Sequence, residues 1–135
     1  MSQTFTPSFL KRLILAFAAL FIATPALAAP GWSDYDAQTF AQAQKSGKII
    51  VVDVHADWCP TCRAQAPILT KLMQEPRLKN ALFVKVNFDT DKDFLRAHRI
   101  PRQSTILVFK GTKETARSIA ETRPAKLRSA VFAGL

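Results

Sequence analysis

Runs of β-branched and other apolar residues mark the predicted strands. Residues 48–55 read Lys-Ile-Ile-Val-Val-Asp-Val-His and are apolar on both faces, which is typical of a central strand covered on two sides. Residues 81–88 predict a second buried strand, and residues 105–110 and 115–120 predict two more across a turn at Gly111. The pattern therefore predicts a sheet of about four strands.

The segments between these strands have the residue spacing of helices. Residues 31–45 predict a loop followed by a helix, with Ser33 or Asp34 as its cap and Phe40 on its apolar side. Three further helices are expected, at residues 57–75, at residues 91–98 and from about Pro124 through Phe132. This order of elements predicts an α/β fold, a mixed sheet with helices on both faces, whose functional residues lie where strands end and helices begin.

The first 28 residues have the three-part pattern of a secretory signal peptide. The basic pair Lys11-Arg12 precedes an uncharged apolar run at residues 13–23, and the small-x-small triplet 26–28 follows. The run is about half the roughly 20 residues that a bilayer-spanning helix needs, so retention as a membrane anchor is the less favoured alternative. We expect residues 1–28 to be cleaved and residues 29–135 to form one exported, periplasmic domain.

The charge distribution argues against a nucleic-acid-binding protein. The formal net charge is +9 and the sequence pI is about 10.1, but after residue 28 the basic residues are scattered singly. Scattered charges are typical of a solvated surface, and the chain contains no basic tract or recognition motif. The length after cleavage suits a single compact domain, and we expect a monomer.

The candidate chemistry lies in Cys59 and Cys62, the two cysteines of the chain. They are spaced C-x-x-C at the predicted start of a helix, where unpaired N–H groups and the helix dipole favour a thiolate. Pro60 suits the first turn because it has no N–H to leave unpaired. Cys62 lies one turn further along the same face, within reach of Cys59 for a disulfide. The arrangement predicts Cys59 as an attacking thiolate and Cys62 as the resolving thiol.

A structural disulfide and a metal site are the alternatives. A disulfide that closes so short a loop restricts the unfolded chain little, so a purely structural role is the weakest interpretation. Zinc needs four ligands, and the two histidines, His55 and His98, lie at no zinc-finger spacing. The alternative is a copper site with fewer ligands, which uses the two cysteines with or without His55.

The segment VVDVHADWCPTCRAQAP resembles the active-site strand, turn and helix of thioredoxin-fold proteins. Asp53 precedes the first cysteine by six residues, Trp58 stands directly before it, and Pro67 follows the second cysteine by five. The resemblance extends over most of residues 48–120, through FVKVNFD and STILVFKG. The N-terminal segment, with its K-S-G-K end, is more similar to exported thioredoxin-like domains of thiol:disulfide interchange proteins than to cytosolic thioredoxin.

The resemblance implies an exported thiol:disulfide oxidoreductase that acts on protein thiols and disulfides without a cofactor, with a membrane protein as a possible electron donor. It implies that Asp53 takes or gives the proton of Cys62 and that Lys85 supports it. Burial should raise the pKa of Asp53, partly opposed by Lys85. A buried aspartate that only pairs with Lys85 is the alternative role, and His55 is interpreted as a histidine at the edge of the core. A copper-binding protein or metallochaperone of the same fold is the alternative function.

The sequence departs from the family at one position. Aligning residues 104–109 with the family's third strand places Ser104 where the family has a cis-proline facing the cysteines, and Pro101 lies too early to replace it. Because a non-proline cis bond costs roughly 2.5 to 4 kcal/mol, we expect the peptide before Ser104 to be trans. By resemblance, Trp58, Gln103, Ser104 and Thr105 are candidate substrate-binding residues. Pro60 and Thr61, between the cysteines, carry no charge, which favours a reductant or relay over a strong oxidant.

Overall fold

A computed structural model describes Met1 and residues 31–135. Its centre is one mixed sheet of five strands in the order β1-β3-β2-β4-β5. The strands are β1 Trp32–Asp34, β2 Ile49–His55, β3 Leu82–Asn87, β4 Thr105–Lys110 and β5 Lys113–Ile119. The signal peptide predicted at residues 1–28 lies outside the residues that the structure describes. In the described part of the chain, none of the helices has the length and hydropathy of a bilayer-spanning segment.

Four helices and one short 3-10 turn connect the strands. They are α1 Ala37–Lys45, α2 Pro60–Met73, the 3-10 turn Pro76–Leu78, α3 Lys92–Ala97 and α4 Pro124–Ala133. Each predicted helix is therefore present within a few residues of its expected bounds, and α2 continues through Pro67. The predicted α/β thioredoxin fold is confirmed.

The sheet separates two apolar clusters, one on each face. On one face, Phe40 of α1 and Phe94 of α3 pack edge-to-face on each other, with ring centroids 5.5 Å apart, and cover β2. On the other face, Leu69 of α2 and Leu127 of α4 pack against the opposite side chains of the same strands. Strand β2 is thus covered on both faces, which explains its continuous apolar run.

The first strand corrects the sequence-based prediction. Residues 32–34 were expected to lie in a loop, but they pair in parallel with β3, so the sheet has five strands and not about four. The predicted caps Ser33 and Asp34 belong to this strand, and Asp36 caps α1 by accepting a hydrogen bond from the Thr39 N–H at 2.7 Å. Three residues, two of them polar, are too few to show an alternating pattern, so the strand gave no periodic signal.

The fold brings three chain segments together at one end of the sheet. Strand β2 pairs in parallel with β3 and antiparallel with β4, so the carboxyl end of β2 lies beside the amino end of β4. Helix α2 begins a few residues after β2, and the residue before β4 is Ser104. The cysteines at the start of α2 therefore face the segment that leads into β4.

Candidate functional site

The sulfur of Cys59 caps helix α2. Cys59 has extended backbone geometry, with φ −84° and ψ 113°, and its Sγ accepts a hydrogen bond from the Cys62 N–H at 3.1 Å. Pro60 occupies the first turn, where its missing N–H leaves no donor unpaired. Because the helix dipole favours negative charge at this end, the cap is a position where a thiolate is more stable than elsewhere.

The hydroxyl of Ser104 lies between the two sulfurs. Its Oγ is 3.1 Å from Cys59 Sγ and 3.2 Å from Cys62 Sγ, and the residue is fully buried. The peptide before Ser104 is trans, as expected, and its own φ is +63°, in the left-handed region. When Cys59 is a thiolate and Cys62 a thiol, this hydroxyl can donate to the first sulfur and accept from the second.

The two thiols differ in acidity. Burial raises the pKa of Cys59, but hydrogen bonds from Cys62, Ser104 and Gln103 outweigh burial and leave this pKa below its usual value. Burial also raises the pKa of Cys62, and its hydrogen bond to Cys59 raises it further. Both cysteines are free thiols in this structure, so the first proton leaves Cys59 and Cys62 keeps its own.

Asp53 is a buried acid on strand β2. Burial raises its pKa to about 6, although the charges of His55 and Lys85 lower it. Its Oδ2 lies 3.8 Å from the Nδ1 of His55, and its Oδ1 has no hydrogen-bond partner among the described residues. Lys85 is opposite Asp53 in the β2–β3 register, but the side-chain nitrogen close to the Asp53 carboxyl is Nδ1 of His55.

His55 lies close to two carboxyl groups, which a histidine that only packs at the edge of the core does not require. Its ring lies between Asp53 and Asp57, with Nε2 3.4 Å from Oδ1 of Asp57, whose side chain is 98% exposed. The ring thus connects a buried carboxyl with one in water. The sequence spacing of Asp53 and His55 indicates that they are neighbours, because residues two apart on a strand point to the same face.

The candidate substrate-binding residues divide into exposed and buried ones. Trp58 is 56% exposed, and its Nε1 donates to Asp89 at 2.9 Å; Gln103 is half-buried. Ser104 donates its N–H to Val54 O at 2.8 Å, and Thr105 is a paired residue of β4. The backbone N–H of Ser104 is therefore already used within the sheet.

Sequence reasoning missed one residue of this site, Gln65. It is fully buried on α2, and its Nε2 donates to the Ser104 carbonyl at 3.2 Å and to the Glu121 carbonyl at 3.1 Å. The signal was present, because Cys62, Gln65, Leu69 and Leu72 follow the helical spacing of a buried face. A glutamine in that series indicates a polar partner inside the protein.

Among the described residues, the copper alternative has no third ligand. Within residues 31–135, no three His, Cys, Asp or Glu side chains converge closely enough to hold a metal ion. His55 is directed to two carboxylates and does not complete a site with the cysteines. The described residues therefore form no three-ligand site, and the copper alternative would need the two sulfurs alone.

Comparisons with known proteins agree with the fold. The thioredoxin family model matches residues 33–133. A thioredoxin from Coprinus comatus is 37% identical over 71 residues, 53% of this chain and 67% of that protein. Thioredoxin-1 of Saccharomyces cerevisiae is 31% identical over 97 residues, 72% of this chain and 91% of that protein. The crystal structure of Trxlp from Edwardsiella tarda EIB202 is 40% identical, with 75% of this chain and 98% of that chain covered and a TM-score of 0.72. The chain therefore belongs to the thioredoxin family and is a thiol:disulfide oxidoreductase.

Proposed function

We propose that this protein is an exported reductase or electron relay for protein disulfides, with Cys59 as the nucleophile and Cys62 as the resolving thiol. The observation that carries the proposal is the asymmetry of the two sulfurs. The Cys59 sulfur caps a helix and has a lowered pKa, whereas the pKa of Cys62 is raised. The pair therefore has one thiolate that can attack and one thiol that stays protonated until the mixed disulfide has formed.

In the first step, the Cys59 thiolate attacks one sulfur of a substrate disulfide. The Cys59 Sγ bonds to that sulfur, the substrate S–S bond breaks, and the other substrate sulfur leaves as a thiolate. Cys59 and the substrate are then joined by a mixed disulfide. The loss of negative charge on Cys59 also removes the hydrogen bond that raised the pKa of Cys62.

In the second step, Cys62 gives up its proton and attacks Cys59 Sγ. The Cys59–Cys62 disulfide forms, the mixed disulfide breaks, and the second substrate sulfur leaves as a thiolate, so that two electrons have passed to the substrate. Asp53 is the proposed proton acceptor, directly or through water. Its raised pKa of about 6 lets it both take and return a proton near neutral pH.

Substrate docking requires a local movement, because Cys59 is 0% exposed. A reacting sulfur must approach to about 3–3.5 Å, so part of the cover over Cys59 has to be displaced first. Trp58 directly precedes Cys59 and is exposed, and the half-buried Gln103 directly precedes Ser104, whose hydroxyl contacts the Cys59 sulfur. We assign the docking surface to Trp58 and Gln103. Ser104 and Thr105 shape it from beneath.

The direction of electron flow is proposed from the charges near the pair. Strong oxidants of this fold have very stable thiolates, and here Pro60 and Thr61 contribute no charge to stabilise Cys59. Asp53, when ionised, disfavours a second negative charge in the site. Arg99 and Arg102 act in the opposite sense, but they are exposed and their fields are screened at physiological salt. The balance favours a reductant.

Export rests on the N-terminal pattern of a basic pair, an apolar run and a small-x-small triplet. An exported reductase has no access to cytosolic electron donors. We therefore propose that a membrane protein with a dithiol re-reduces the Cys59–Cys62 disulfide by the reverse of the two steps above.

The Cys62→Ser variant should trap a mixed disulfide between Cys59 and a reducible protein such as insulin, because no resolving thiol remains. Iodoacetamide should alkylate Cys59 of the unmodified protein below pH 8, where an unperturbed cysteine is mostly protonated. Alkylation of Cys62 should be slow. Mass spectrometry of tryptic peptides identifies the modified residue, with Cys59→Ser as the control that forms no trapped complex. Preferential alkylation of Cys62 would contradict the assignment.

The Asp53→Asn variant should be more stable but slower. An unfolded aspartate loses its proton near pH 3.9 and the folded one near 6, so stability falls as pH rises between these values. Removing the carboxyl should raise the free energy of unfolding at pH 7 by up to about 3 kcal/mol and flatten its dependence on pH between 4 and 6.

Disulfide reduction by the same variant should be at least about tenfold slower, because the proton acceptor is gone. The exposed Asp57→Asn is the matched control, and it should change stability by less than about 0.5 kcal/mol. Denaturant unfolding across pH and single-turnover reduction measure the two effects. An unchanged rate for Asp53→Asn would leave Asp53 with a purely structural role.

The reduction potential of the pair should lie nearer that of thioredoxin, about −270 mV, than that of the strong oxidants, about −120 mV. Equilibration of the purified domain with glutathione buffers, followed by quantification of the oxidised fraction, gives the value. A potential above about −160 mV would make the protein an oxidase and reverse the proposed direction.

Cells that express the full chain should contain a processed form whose first residue is Ala29, located outside the cytoplasm. Cell fractionation with mass spectrometry of the N-terminus measures both properties. Leu15→Arg, which places a charge in the apolar run, is the control that should remain unprocessed in the cytoplasm. Unprocessed protein in the cytoplasm without this substitution would refute export.

A further inference from the structure

Buried polar side chains are concentrated around the cysteines. Among the described residues they are Asp53, Gln65, Ser104 and Thr105. Asp53 and Ser104 have roles in the chemistry already proposed, and Thr105 begins β4. Gln65 touches neither sulfur in the described contacts, and no step of the reaction uses it. Burial of the Gln65 amide requires an explanation, because removing a polar group from water costs free energy unless hydrogen bonds compensate it.

The two hydrogen bonds of Gln65 end on one structural feature, the open end of the β4–β5 hairpin. Thr105 and Ile119 form the last pair of this ladder, and the Ala120 N–H continues it by donating to the Ser104 carbonyl at 2.9 Å. Gln65 Nε2 donates to that same carbonyl and to the carbonyl of Glu121. One side chain of α2 thus holds both segments where they leave the sheet.

Both segments have unusual backbone geometry at this point. Ser104 has φ +63° and Ala120 has φ +54°, values that residues with a Cβ rarely adopt. Such conformations persist only when surrounding contacts impose them. For Ser104 these contacts are its N–H to Val54 O at 2.8 Å and the two donors to its carbonyl, one of which is Gln65.

The orientation of the Gln65 amide follows from its partners. Both partners are carbonyls, so the NH₂ group must face them. Its Oε1 is buried without a hydrogen-bond partner in the described part of the chain. The protein therefore leaves one polar atom unsatisfied to place a donor at Ser104 and Glu121. An apolar side chain of similar length would avoid this cost if packing were the only requirement.

We propose that Gln65 is a positioning residue for the redox pair: it fixes the backbone at Ser104 so that the Ser104 hydroxyl lies between the sulfurs and donates a hydrogen bond to the Cys59 thiolate. This inference rests on the proposed role of Cys59 as the nucleophile. Ser104 is the residue that touches the reacting atoms, and Gln65 acts through it. Together they stabilise the reduced, charged form of the pair and bias the site toward that form.

The effect of the Ser104 hydroxyl on the reduction potential has a sign that can be measured. A thiolate accepts a hydrogen bond more strongly than a disulfide sulfur does, so the hydroxyl favours the dithiol form. Loss of the hydroxyl should reduce the Cys59 thiolate fraction and make the reduction potential more negative. A tenfold loss of thiolate stabilisation corresponds to about 30 mV for this two-electron couple.

The test compares Ser104→Ala, Gln65→Met and the double variant in the full mature domain. Ser104→Ala should slow iodoacetamide alkylation of Cys59 roughly tenfold at a pH well below its midpoint, since it removes a hydrogen bond to a charged group. Gln65→Met, which keeps the length without a donor, should slow it between about twofold and tenfold. In the Ser104→Ala background, Gln65→Met should have no further effect on the rate or the potential, because Gln65 acts through Ser104.

Two controls separate positioning from simple stability. Ser104→Thr retains a hydroxyl and should alkylate faster than Ser104→Ala. Gln65→Glu retains the length of the side chain, and at acidic pH its buried carboxyl is protonated and keeps one hydrogen-bond donor. At that pH its alkylation rate should be closer to that of the unmodified protein than the rate of Gln65→Met is. This variant also serves if Gln65→Met does not fold.

Three results would overturn the inference. They are an unchanged alkylation rate in Ser104→Ala, an unchanged rate and potential in Gln65→Met despite lower stability, and additive effects in the double variant. Each leaves Cys59 as the modified residue, so each is distinct from failure of the proposed function, in which Cys62 would be modified first. If Gln65→Met does not fold, the alkylation rate of Gln65→Glu is compared with that of the unmodified protein at the same pH. A ratio of the two rates that is the same whether the substituted carboxyl is protonated or ionised would also overturn the inference.

Discussion

One hydrogen bond joins the chemistry of this protein to its fold: the bond from the Cys62 N–H to the Cys59 sulfur. The first turn of any helix has N–H groups without internal partners, and an acceptor must be supplied from outside the turn. Here the acceptor is the sulfur of Cys59, the proposed nucleophile. The stability of the helix start and the ionisation of Cys59 therefore depend on the same atom, and the position of α2 after β2 fixes both.

The sequence-based predictions were most accurate where one physical signal dominated. The apolar runs of β2 and β3 correctly identified buried strands, and the C-x-x-C pair was correctly placed at the start of a helix, because the signals for both are local in the sequence. Strand β1 was missed because its three residues form an edge strand whose pairing depends on β3, far along the chain. Gln65 was missed for a similar reason, since both its partners lie far along the chain.

The site also shows how the fold tolerates buried polar groups. Asp53 lowers stability at neutral pH because its carboxyl is desolvated and only partly compensated by His55 and Lys85. Gln65 leaves one oxygen unsatisfied, and Ser104 adopts a rare backbone conformation. These local costs lie within one small region at the end of the sheet, while the two apolar clusters on either face supply the stability that permits them.

The complete burial of Cys59 has a consequence for the oxidation of its sulfur. An ionised thiol is the form that peroxides convert to sulfenic and then to irreversible sulfinic acid, and this damage increases with exposure. A sulfur with no exposed surface reacts with small oxidants, as with iodoacetamide, only while its cover is displaced. Displacement of the cover therefore limits overoxidation of this sulfur as well as its reaction with substrates.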